Sequence, residues 1–109
     1  METKTISIAK DFSRYPAGRY ISDGPFSGEA FRDSILVPAF TSGDSLTIDL
    51  EGARGYGSSF LEEAFGGMIR KGFAAKEMLA KIDFKSQDQS LIEEIREYIL
   101  DQAKVSGQI

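Results

Sequence analysis

The spacing of apolar side chains changes several times along the chain, and each change marks an element. Residues 3 to 10 alternate, with Ile6 and Ile8 on one side and Thr5, Ser7 and Ala9 on the other. Period two with β-branched residues predicts a strand with one buried face. Pro16 and Gly18 punctuate the next stretch, and a short strand around Arg19 to Ile21 is expected before the turn Asp23-Gly24-Pro25. From Ser27 the period lengthens. Phe31 and Ile35 stand one helical turn apart, and Leu36 and Phe40 repeat the spacing. This is the buried stripe of a helix, with Ser27 as N-cap and Glu29 beside the first-turn amides. Pro38 lacks an amide hydrogen and disfavours a helical Val37, so a kink or an end is expected there.

Leu46, Ile48 and Leu50 share one face of the clearest strand, Thr47 and Asp49 the other. Gly52, Gly55 and Gly57 follow closely, and then Ser59-Phe60-Leu61-Glu62 has capping-box spacing with Ser59 as the cap. Phe60, Leu61, Ala64, Phe65, Met68 and Ile69 supply a broad apolar helix face. Gly66-Gly67 inside that helix costs about 1 kcal/mol per glycine relative to alanine, which points to close packing of helix on sheet. Gly72 is expected to close the helix. Met78 to Phe84 alternates and predicts a further strand, and Ser90-Leu91-Ile92-Glu93 repeats the capping box before the stripe Leu91, Ile92, Ile95, Tyr98 and Ile99. The order β-β-α-β-α-β-α predicts one α/β domain over residues 1–109. It would be a small mixed β-sheet with helices packed on it, most simply in two layers with right-handed crossovers.

Composition narrows the chemistry. A chain of 109 residues with 41% hydrophobic side chains supports one core. Cysteine and histidine are both absent, which excludes disulfides, thiolate or imidazole metal ligands, cysteine nucleophiles and histidine triads. Thirteen basic against seventeen acidic side chains, a net charge of -4, argue against nucleic acid as the partner. The longest apolar run, Ile35 to Phe40, is too short to cross a bilayer, and Glu2, Lys4, Lys10 and Asp11 leave no apolar signal segment. A cytoplasmic protein without metal or cofactor is the expectation.

The glycine-rich turn after Leu50 carries the most information, because open α/β sheets place functional groups beyond the C-terminal ends of their strands. Ser58 lies one residue outside the expected cap. It either starts the turn or serves as a modification or recognition site, where a phosphate would meet the helix amides and also Glu62 and Glu63. Gly52-Ala53-Arg54-Gly55-Tyr56-Gly57 is neither a P-loop nor a dinucleotide fingerprint. Adjacent Glu62 and Glu63 diverge on a helix, so they form no clamp by sequence alone. Asp49 is expected to be satisfied by a neighbouring loop. Arg19, Arg32, Arg54 and Arg70 are scattered along the chain, with Arg32 beside Asp33. Phe26, Tyr56 and Phe60 stand near loops, and two of them exposed together would anchor a protein contact.

Leu46 to Gly52 followed by Gly57-Ser58-Ser59-Phe60-Leu61 resembles the core of STAS domains, the sulfate-transporter and anti-sigma-factor-antagonist superfamily. Gly18-Arg19, Asp23 to Arg32 and above all Gly55 to Gly67 resemble the STAS-like bacterial family DUF4325. The wider superfamily implies docking to a GHKL-type, histidine-kinase-like ATPase that phosphorylates a serine at the start of the helix after a central strand. Its usual motif is Asp-Ser-Ser/Thr-Gly-Leu. Here Gly57 stands at the aspartate position, Ser58 at the phospho-acceptor position, Ser59 next, Phe60 at the glycine position and Leu61 at the leucine position. The expected function is therefore a non-enzymatic regulatory module with a cytoplasmic protein partner and Ser58 as its switch. The expected surface joins the loops at Arg19, Phe26 and Ser27, with Arg32, to the turn carrying Tyr56, Gly57, Ser58, Ser59, Phe60, Glu62 and Glu63, and Asp49 beneath it. Two other readings stay open. One is a ligand or enzymatic site at the Gly55 to Glu63 turn, using Asp49, Ser58 and Glu62 or Glu63. The other is a structural subunit acting as a homo-oligomer, a homodimer in the simplest case.

Overall fold

A computed structural model of the chain describes residues 3–43 and 45–109. Strands β1 (Thr3–Ser7), β2 (Ser45–Asp49) and β3 (Ile82–Lys85) form one sheet in the order β1-β2-β3. Ile6 lies opposite Ile48 and Ile48 opposite Phe84, while Leu46 meets Ile82. These rows face the core, where Ile6, Leu46, Ile48 and Ile82 are buried. The other face carries Thr5, Thr47 and Asp83 in one row and Ser7, Asp49 and Lys85 in the next. Both pairings are parallel, so the sheet is not mixed. Each connection steps in the same direction, so crossovers of one hand bring the helices to a single face.

The expected strand at Arg19 to Ile21 is absent. Asp23 accepts the amide hydrogens of Arg19 (3.2 Å) and Tyr20 (2.8 Å) and winds Ile21–Asp23 into a short 3₁₀ turn, between glycines 18 and 24 at φ 93° and 149°. Strand β1 also ends earlier than its alternation suggested. Ser7 caps a single π turn over Ile8–Phe12, its hydroxyl accepting from the Lys10 amide at 3.1 Å, and Ile8 stays buried. The order of major elements is consequently β-α-β-α-α-β-α.

Helix α1 runs over 28–41, with Gly28–Phe31 and Val37–Thr41 α-helical and a π turn at Arg32–Leu36 between them. Ser27 caps it as expected, its hydroxyl accepting from the Ala30 amide at 3.1 Å. Pro38 neither ends nor breaks the helix, and Val37 is helical at φ -61° and ψ -50°. In the wide turn the Val37 amide reaches back five residues to Arg32. A wider turn leaves more room between a proline ring and the carbonyl four residues before it than an ordinary helix does.

Helix α2 spans 58–70, again with a π turn, Glu62–Gly66, between α-helical Ser58–Leu61 and Gly67–Arg70. Its cap is Gly57, not Ser59, and no side chain caps the first turn. Ser58 and Ser59 are the first two helical residues. Gly72 closes α2 at φ 104°, its amide bonded to the Ile69 carbonyl at 2.9 Å. The alternation at Met78 misleads: Ala75–Lys81 is helix α3, burying Ala75 and Met78, and only Ile82 onward is extended. So short a run satisfies both periods, and its burial selects the helix. Helix α4 (Gln89–Val105) is capped two residues before the predicted Ser90. The Asp88 carboxylate, favoured at a helix N-terminus, accepts from the Ser90 and Leu91 amides at 3.0 and 3.3 Å.

Phe31 and Leu36 of α1, Phe60, Phe65 and Met68 of α2, and Ile95 and Ile99 of α4 fill the space above the sheet.

Candidate functional site

The crossing of α1 and α2 governs everything on this side of the molecule. A Cβ on Gly28 would overlap the Phe60 carbonyl and press on the Ala64 amide, so the two helices meet in backbone contact. Their π turns face each other at this level. Arg32, buried on α1, donates through Nη1 to the buried carboxylate of Glu63 and to the Glu63 carbonyl at 3.2 Å. Its Nε donates to Asp33 at 2.9 Å. A Cβ on Gly67 would collide with that guanidinium at 2.5 Å, and one on Gly66 would meet the Glu62 carboxylate at 2.5 Å and the Tyr98 carbonyl of α4 at 3.5 Å. The glycine pair therefore makes room for an ion pair and a neighbouring helix. It does not serve packing on the sheet.

Further out, two more arginines close over the same carboxylates. Arg19, from the loop before α1, donates to Glu62 at 2.5 Å and to Glu63 at 3.1 Å. Arg70 donates to Glu62 at 2.8 and 2.9 Å, to Glu63 at 3.0 Å and to Gln102 of α4 at 2.7 Å. Glu62 and Glu63 thus share partners despite pointing apart along the helix, because long guanidinium forks span the gap. Arg70, and after it Arg19, hold the Glu62 carboxyl below the ordinary glutamate range against the opposing effect of burial. Engaged in this way, Glu62 does not reach back to cap α2.

The structure brings together Arg19, Arg32, Arg70, Glu62 and Glu63, which sequence reasoning left scattered. One signal was available. Arg32 is four residues before Leu36 and lies on the buried stripe of its helix, where a charge requires a partner.

The other site residues lie toward the C-terminal ends of the strands. Asp49 closes the central strand, accepting the Glu51 amide at 2.9 Å with the Lys85 ammonium at 4.0 Å. Tyr56 is half-buried and donates to the Leu50 carbonyl at 2.8 Å, and burial, then Asp49 and Glu51, raise its phenol above the usual range. Phe60 is wholly buried, its ring centroid within 6.2 Å of those of Phe12, Phe31 and Tyr56. Of the three aromatic residues expected at a contact surface, only Phe26 is exposed, standing edge-on to Phe12. Ser27 is buried in its capping role, whereas Gly57, Ser58 and Ser59 are exposed. A cleft of about 390 Å³ opens between the glycine-rich turn, Leu50 to Tyr56, and the start of α4 at Asp88, Ser90, Leu91 and Glu94. Asp49, Ser58, Glu62 and Glu63 do not line it.

A parallel sheet wound in one direction, with its glycine-rich turn and an uncapped helix start at the C-terminal ends of the strands, defines a small α/β module that presents loops at one end. The family model of the STAS-like domain of unknown function (DUF4325) matches residues 27–91, more than half of the chain. The chain belongs to that family. None of the curated proteins and none of the solved structures is detectably similar to it. Among the described residues no helix is long and apolar enough to cross a membrane.

Proposed function

We propose that the protein is a non-enzymatic, cytoplasmic regulatory module that docks onto another protein through the loop end of the sheet, with Ser58 as a switchable hydroxyl. The observation that carries this reading is the start of α2. Ser58 is exposed in the first helical turn, its hydroxyl makes no hydrogen bond among the described residues, and Gly57 supplies no side-chain cap. A phosphate on Ser58 would add roughly -1.5 to -2 charges beside free first-turn amides. It would also stand one turn from Glu62, which Arg19 and Arg70 already neutralise. The repulsion that the sequence suggests is thereby reduced. Resemblance to anti-sigma-factor antagonists supports a GHKL-type ATPase as the partner and modifying enzyme.

The test is affinity purification of the tagged protein from its source cells, wild type against Ser58→Ala and Ser58→Glu, with mass spectrometry of retained proteins and of modified residues. A single stoichiometric partner whose retention differs between the variants is the expected result. Equal retention by all three proteins, with no phosphate on Ser58, overturns the switch. No retained protein overturns the module.

A further inference from the structure

We draw no further inference here: the strongest candidate, the cleft between the glycine-rich turn and the start of α4, is lined by an acidic cluster of Glu51, Asp88 and Glu94 whose carboxylates already accept hydrogen bonds from Gln87, Ser90 and Tyr98, and nothing else in the structure points to a ligand there.

Discussion

Replacing Glu63 by glutamine isolates the buried ion pair at almost constant volume. Arg32 and Glu63 are 5% and 6% exposed, so neither charge is rescued by water once its partner is gone. Breaking a buried pair from one side costs about 3–5 kcal/mol. Arg32 keeps its Nε bond to Asp33 and its bond to the Glu63 carbonyl, which places the expected loss at the lower end, about 3 kcal/mol. At about 4 °C per kcal/mol for a chain of this size, the midpoint of thermal unfolding should drop by about 12 °C. Arg32→Met should cost less, because Glu63 retains Arg19 and Arg70 on its other oxygen. Combining both changes leaves no uncompensated charge between the helices, and the double variant should lose clearly less than the sum of the two single losses. Urea unfolding followed by far-ultraviolet circular dichroism measures all four proteins. A loss below about 1 kcal/mol for Glu63→Gln, or strictly additive losses, would refute the assignment of this pair as buried and coupled.

Glu62 adds a pH dependence. Its carboxyl is held low by Arg70 and Arg19, so its stabilising effect is complete above the unfolded glutamate value of about 4.3 and is lost as pH falls through the folded value. Wild type should therefore lose thermal stability on acidification below that point more steeply than Glu62→Gln, which calorimetry across pH 3 to 6 would measure. At Gly57, φ -68° and ψ 144° suit any residue and a Cβ would meet nothing within 4 Å. Gly57→Asp should accordingly cap α2 and stabilise the protein by about 0.5–1 kcal/mol, while Ser59→Ala should stay within about 0.5 kcal/mol of wild type. Gly28→Ala should cost about 1–3 kcal/mol in denaturant titration despite alanine's better helix propensity, since the new methyl strikes backbone.

Local periodicity carried the helices well: Phe31, Leu36 and Phe40, then Phe60, Phe65 and Met68, face the core as their spacing requires. It failed where a side chain outside the pattern decided the backbone. Asp23 winds Arg19 to Ile21 away from an extended form, Asp88 takes the cap that Ser90 was expected to provide, and the wide turn before Pro38 accommodates a ring that an ordinary helix would reject. The arginine–glutamate cluster depends on the close crossing of two helices. That is a property of Gly28 and Gly67 acting across more than thirty residues of chain, which no window of neighbouring residues contains.

Each π turn holds one residue more than an α-helix of the same rise needs. Excising a single residue between Glu62 and Gly66 would leave a regular helix with all that follows facing much as it does. Removing one from the α-helical stretch Ser58–Leu61 would instead swing the rest by about 100° around the axis. Met68 and Ile69 would leave the interior, and Arg70 would be carried off Gln102. The π turn is thus where the span from Gly57 to Gly72 holds a spare residue, and grafts or exchanges in its α-helical parts succeed only when they keep the length.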